Sequence, residues 1–323
     1  MTLRIAGLLF ALAILVAPLA AGAQQARSPY RIGILHEGYF PNNPSVEGLK
    51  AGLKAIGLEE GRDLTFDIRF TRGAPEATAE AAETLTKARP DLLFTVREEA
   101  TQAAKAATRT IPIVFVRVGD PVATGIVAAV AHPGGNVTGI SSLATELVPK
   151  RLEILKAIVP TLRRVWAVYH ADDRSSIAAA RKAQEVAPVL KLELVERPVR
   201  TPEELVNTLK GLVPGDGLLS PAARTINIPG VILDLQLSGK VPAVFDAAFW
   251  VQAGAMMSYG SDDYADGVQS ARLVARILRG ARPQDLPVEG ANKVELAVNL
   301  KTARSLGVTI PREILARADR VIE

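Results

Sequence analysis

Short apolar runs alternate with longer amphipathic segments through most of this 323-residue chain, and that alternation does more than any other feature to narrow its fold. An apolar run hydrophobic on both faces suits a buried parallel strand, and a parallel neighbour needs a crossover, usually a helix, to bring the chain back. The chain therefore reads as α/β, with βαβ units around parallel sheets. The strand candidates are Tyr30 to His36, Leu64 to Phe70, Leu92 to Val96, Ile113 to Val116, Val165 to Tyr169, Gly217 to Ser220, Val241 to Phe245 and Ala255 to Tyr259.

Helices are expected between them. Val46, Leu49, Leu53 and Ile56 fall three and four apart, with Pro44 near the start and Gly57 just past the end. Val148, Leu152, Leu155 and Val159 repeat the pattern, as do Val268, Ala271, Val274 and Leu278 before Gly280. Thr201-Pro202-Glu203-Glu204 combines a hydroxyl N-cap, a proline for the first helical position and a glutamate three residues on, the signature of a capping box. A single core tends to split beyond about 250 to 300 residues, so two lobes are expected. No internal repeat or low-complexity linker separates them, so ordinary short crossings must join them.

The N-terminus reads as a secretory leader over residues 1–23. Arg4 precedes an apolar run from Ile5 to Ala17, then Pro18, and Ala21-Gly22-Ala23 supplies a small-residue cleavage site before Gln24. The apolar run is short for a bilayer span. The chain has no cysteine, so neither a disulfide nor a lipid-modified cysteine anchor is available, and a free periplasmic product is expected. The net charge of +4 comes from interspersed residues rather than a basic patch, which gives no footprint for nucleic acid.

Reactive machinery is sparse. The histidines are His36, His132 and His170, none paired at metal-binding helical spacing, and the H-E-x-x-H and C-x-x-C patterns are absent. There is no G-x-S-x-G elbow, no Walker loop and no G-x-G-x-x-G after the first strand. No catalytic residue, metal or cofactor is expected. His132 sits in a turn-rich stretch and reads as a loop residue. Open parallel sheets bind ligands beyond the carboxyl ends of their strands. That rule nominates His36, Glu37 and Gly38, then Arg97 and Glu98, Asp120, Ser141, Ser142 and His170. Asp120 reads equally as a turn residue. Helix N-termini among these segments would favour a carboxylate.

The blocks Thr110-Ile111-Pro112-Ile113-Val114-Phe115, Val118-Gly119-Asp120-Pro121-Val122, His132-Pro133-Gly134-Gly135-Asn136-Val137-Thr138-Gly139, Lys150-Arg151-Leu152-Glu153 and Met257-Ser258-Tyr259-Gly260 follow in one order. With Asn299-Leu300-Lys301-Thr302-Ala303 and Leu306-Gly307-Val308-Thr309-Ile310-Pro311 they make the chain resemble the ABC-transporter substrate-binding family that includes tryptophan and tyrosine importers.

That resemblance implies two Rossmann-like lobes with parallel sheets, in type I periplasmic binding protein architecture. Lobe 1 would hold 31–140 plus 254–281, and lobe 2 would hold 141–253 plus 282–323. A small organic ligand, an amino acid or organic acid, would lie in the cleft and pass to an ABC permease in the inner membrane, without catalysis and from a monomer. Drawing on both lobes adds Ser220, Asp246, Phe249 and Tyr259, the two aromatic residues as candidates for stacking or for the core. The family usually carries a small glycine-containing turn after the third strand, where this chain has Val96-Arg97-Glu98-Glu99. Arg97 suits a ligand bearing a carboxylate. A ligand-sensing protein that reports to a membrane receptor, and an enzyme on a doubly wound fold, are the alternatives.

Overall fold

The computed structural model describes residues 28–38, 42–72, 74–222 and 229–323. The leader at 1–23 lies outside them. Along the chain come β1 (Tyr30–His36), α1 (Pro44–Ala55), β2 (Leu64–Phe70), α2 (Pro75–Lys87), β3 (Leu92–Val96), α3 (Glu98–Ala107), β4 (Ile113–Val118) and β5 (Val137–Ser141). These build a sheet of order β11-β5-β4-β3-β1-β2, completed late in the sequence by β11 (Glu289–Gly290). Every pairing in it is parallel.

The chain then leaves for a second sheet through α4 (Val148–Ile158), β6 (Arg164–His170), α5 (Arg174–Val186), β7 (Glu193–Val199), α6 (Pro202–Leu209), β8 (Asp216–Ala222), α7 (Pro229–Ser238), β9 (Ala243–Phe245), α8 (Ala248–Gln252) and β10 (Met257–Ser261). It returns to the first lobe for α9 (Asp263–Leu278) and β11, then crosses again to β12 (Val294–Asn299), α10 (Leu300–Ser305), α11 (Arg312–Leu315) and β13 (Arg320–Ile322). The second sheet has order β13-β12-β10-β9-β8-β6-β7 and is parallel except where β12 meets β10.

Sheet membership corrects the expected division. The expected boundary places residues 254–261 in the first lobe, but β10 pairs with β9 and β12 inside the second sheet. It places residues 282–290 in the second lobe, but β11 pairs with β5, and Thr138 Oγ1 donates to the Leu286 carbonyl at 2.8 Å. The hydrophobic pattern marks a strand without saying which sheet accepts it, which accounts for both differences.

Each sheet is covered on both faces. In the first lobe, Ile32, Ile34, Leu49, Leu53, Val274 and Leu278 pack on one side, and Leu35, Leu85, Leu93, Ala104 and Phe115 on the other. Leu49 and Leu53 lie on the stripe read from the sequence, and each such side chain contributes about 1.5 to 3 kcal/mol when fully buried. Helix α1 lies tightly along α9 because Gly48 of α1 and Gly267 of α9 each face the other helix. A Cβ on Gly267 would run into the Ser45 carbonyl, and one on Gly48 into the Tyr264 carbonyl.

Helix starts follow local rules. Asn43 Oδ1 accepts from Ser45 N at 2.9 Å to cap α1, and Asp262 Oδ1 accepts from Tyr264 and Ala265 N to cap α9. Thr201 Oγ1 accepts from Glu204 N at 3.1 Å, as expected for α6. The Glu204 carboxylate reaches back to Arg200 N at 2.7 Å, one residue before the cap, so the capping box forms in an extended version.

Candidate functional site

In the first sheet the strand order reverses direction between β1 and β3, and in the second between β6 and β8, and crevices at such points receive ligands. A cavity of about 140 Å³ lies between the lobes there. From the first lobe it is lined by Arg97, Glu98 and Glu99 after β3 and by Arg117 and Gly119 of the β4 end. Ser142, just after β5 of the first sheet, joins them, and from the second lobe come Arg151 of α4, Asp173 and Ser176 at the start of α5, Ser220 of β8 and Asp246 after β9.

Two of the arginines are held in unusual backbone conformations. Arg97 has φ 82° and ψ 172°, a region that is essentially glycine's. Its neighbours pin it there: Arg97 N donates to the Val116 carbonyl at 2.9 Å, and the Arg97 carbonyl accepts from Thr101 Oγ1 at 2.6 Å. Arg117 has φ 64° and occupies a register shift between Val116 and Val118 on β4. Bulges of this kind re-aim a side chain, and here a cation leaves an otherwise apolar strand to reach the cavity.

The cations are partly committed. Arg117 Nη1 pairs with Asp263 at 2.8 Å and donates to Ser261 Oγ at 3.3 Å, while its buried Nε has no acceptor among the described residues. Arg151 Nε donates to the Tyr259 carbonyl at 2.7 Å and Nη1 to the Ala144 carbonyl at 2.8 Å. Burial lowers the Arg151 pKa. Burial, and then the charge of Arg117, lowers that of Arg97, whose guanidinium makes no hydrogen bond among the described residues. For Arg117 burial acts in the same sense, but Asp263, Asp246 and Asp266 outweigh it and the pKa is raised.

Asp246 sits among these cations. Burial works to raise its pKa, but Arg151, Arg117 and Arg97 together hold it below the ordinary value. Its approach depends on Gly260 of β10, where any Cβ would collide with the Asp246 carbonyl. Glu98 behaves in the opposite way: burial, then the charges of Asp173, Glu99 and Asp120, push it up to about 8. Burial also raises Glu99. The site offers positive and negative groups from both lobes around one cavity.

A family model described as ABC transporter substrate binding protein matches residues 41–322. The chain belongs to this family. A tyrosine-binding protein of Clostridioides difficile (strain R20291) is 27% identical over 271 residues, covering 82% of this chain and 78% of that protein. The crystal structure of a conserved domain protein from Vibrio cholerae O1 biovar El Tor matches with a TM-score of 0.82 at 32% identity, over 90% of this chain and 99% of that one. An ABC domain from Streptococcus pneumonia in complex with L-Trp matches with a TM-score of 0.82 at 26% identity, over 91% and 100%. The two-lobed α/β architecture of type I periplasmic binding proteins is therefore this protein's fold.

Within this substrate-binding protein, Arg97, Glu98, Ser142, Ser220 and Asp246 of the sequence-derived set line the cavity. The others stand apart from it. His36 is fully buried, stacked near Phe70, and its Nδ1 accepts from Gly38 N at 3.1 Å, which makes a tight corner at the end of β1. Glu37 Oε1 accepts from Ala100 N at 3.0 Å and so caps α3, where Arg97 supplies no side-chain cap. Asp120 Oδ1 accepts from Val122 and Ala123 N, the turn role. Ser141 Oγ donates to the Gly119 carbonyl, and His170 Nδ1 accepts from Asp172 N. Phe249 is 48% exposed against Trp250, and Tyr259 gives its carbonyl to Arg151 while its ring joins the second-lobe core.

The residues that sequence reading missed carried signals. Arg117 interrupts the apolar run Ile113–Val118, and a charge inside a buried strand needs a partner. Arg151 falls three residues after Val148, on the apolar face of α4, where it is 5% exposed. Asp173 precedes a helix and caps it by accepting from Ser176 N at 2.8 Å.

Proposed function

We propose that this protein captures a carboxylate-bearing small molecule, an amino acid or organic acid, in the cleft and delivers it unchanged to an inner-membrane ABC permease. The observation that carries the ligand class is the trio Arg97, Arg117 and Arg151 around Asp246 inside one cavity. Arginine is well suited to planar recognition of carboxylate, and a buried Nε–H without an acceptor fits a ligand oxygen. The tyrosine-binding and L-Trp-bound relatives support amino acids as the class. The leader pattern at residues 1–23, with cleavage near Ala23, supports export to the periplasm. The lobes work as a single monomeric clamp. Because both lobes line the cavity, ligand favours the closed form, the differential affinity that closure requires.

The test is mass spectrometry of whatever co-purifies, followed by thermal-shift screening of amino acids and organic acids, since a ligand selective for the folded state raises its stability. With the ligand found, Arg97→Ala should weaken binding roughly tenfold or more in calorimetry, a hydrogen bond to a charged group being worth about 1.5 to 3 kcal/mol. Undiminished affinity would remove Arg97 from the site.

A further inference from the structure

The charged groups of the cavity divide by the charges they feel. Asp246 is balanced by Arg151, Arg117 and Arg97. Glu98 and Glu99 of the first lobe and Asp173 of the second line another part of the cavity, where burial raises both glutamates, the charge of Asp173 adds to that rise, and Arg97 acts against it at Glu99.

The second group lies at the N-termini of α3 and α5. Such termini commonly seat a ligand's anion, because their free N–H groups and dipole favour negative charge. Here the protein's own carboxylates occupy both positions: Glu37 accepts from Ala100 N, Glu98 and Glu99 stand in the first turn of α3, and Asp173 caps α5. A ligand carboxylate is therefore left to the arginines, where Arg117 Nε is buried without an acceptor and the Arg97 guanidinium makes no hydrogen bond among the described residues.

What the acidic group lacks is a cation. Among the described residues no set of three His, Cys, Asp or Glu side chains converges as a metal ion would need, so a group reaching several separated carboxylates fits better. Among the described residues, too, no aromatic ring lines the cavity to stack on a planar side chain.

We propose that the ligand is an amino acid with a cationic side chain. Its carboxylate meets Arg97 and Arg117, its α-ammonium meets Asp246, and its side-chain ammonium or guanidinium lies among Glu98, Glu99 and Asp173. This rests on the capture reading above and names the ligand class within it. Cation binding stabilises the ionised form of Glu98, so at pH 7 it releases protons to the buffer.

The experiment titrates the mature full-length protein with L-arginine and L-lysine, with their uncharged counterparts L-citrulline and L-norleucine, and with L-tyrosine and L-glutamate. Arginine or lysine should bind about tenfold or more tightly than its uncharged counterpart, as expected for a desolvated charged hydrogen bond. The measured heat should change with the ionisation enthalpy of the buffer. The double substitution Glu98→Gln with Glu99→Gln should reduce the preference to about threefold or less, since only Asp173 would then face the cation. Equal affinity for the charged and uncharged members of a pair overturns the proposal. So does binding of tyrosine or glutamate alone, which leaves the capture reading intact. If none of the six binds the proposal falls, and if nothing co-purifies or shifts the melting temperature in the wider screen the capture reading falls with it.

Discussion

At the scale of single residues, Arg97 sets function against stability. Its φ of 82° with ψ of 172° is a conformation that costs a side chain about 1 to 3 kcal/mol. Arg97→Gly should remove that strain at the expense of about 0.5 to 1 kcal/mol of chain entropy, so the net expectation is a protein stabilised by about 1 kcal/mol. Arg97→Ala keeps the strain and should give no such gain. Both variants should lose ligand affinity, so urea denaturation beside calorimetry separates backbone strain from the guanidinium's role. Asp266 makes a second residue-scale test. It is fully buried, accepts from Ser261 Oγ at 2.8 Å, and faces Arg117, Asp262 and Asp263. Burial raises its pKa to about 7 against an ordinary 3.8, even with Arg117 and Ser261 acting to lower it. Between those values the unfolded chain gives up this proton while the folded protein keeps it, so the group lowers stability as pH climbs from about 4 to about 7 and adds no slope above. Asp266→Asn should flatten that part of the profile; an unchanged difference between pH 5 and pH 8 in urea unfolding would show that Asp266 is ionised throughout.

At the scale of elements, the close approach of α1 and α9 is where a small change should cost most. Gly267→Ala puts a methyl group against the Ser45 carbonyl and Leu49 N, and backbone cannot yield as a flexible side chain can. Loss of about 1 to 3 kcal/mol is expected, seen as a lower urea midpoint with an unchanged slope. The elements also show what the sequence could reveal. The buried runs Tyr30–His36 and Leu92–Val96 were legible because central parallel strands are apolar on both faces, and β3 is buried at every position. The strand β7, Glu193–Val199, was not, because it lies at the sheet edge and carries Glu196 and Arg197. Nor was β5, where Thr138 and Gly139 break the apolar run that marks the other central strands, Gly139 being packed against Phe115. The site was legible in the same uneven way. Strand ends led to Arg97, Glu98 and Ser142, which line the cavity, but also to His36, Glu37 and Asp120, because the carboxyl end of a strand needs local corners and caps as much as it needs ligand contacts, while Ser220 and Asp246 came from the two-lobed resemblance.

At the scale of the molecule, the carboxylates of the cleft bear on the balance between open and closed lobes. Glu98 belongs to the first lobe and Asp173 to the second, so their repulsion falls as the lobes separate. On the proposed capture mechanism this repulsion helps keep the empty protein open, and a bound cation cancels it. Protonating Glu98 should have part of the same effect. Its pKa is raised to about 8, mainly by burial and then by Asp173, so below that pH the repulsion fades in the closed form, while opening rehydrates the carboxyl and returns it toward its ordinary value. Protons therefore bind the closed form more tightly and act as a weak closing ligand. Small-angle scattering of the ligand-free protein should show a smaller radius of gyration at pH 6 than at pH 8.5, and saturating ligand at pH 8.5 should compact it further. Glu98→Gln should remove the pH dependence and leave ligand-driven compaction in place. A radius unaffected by both pH and ligand would mean that the lobes do not move, and the capture mechanism would then have no closing step.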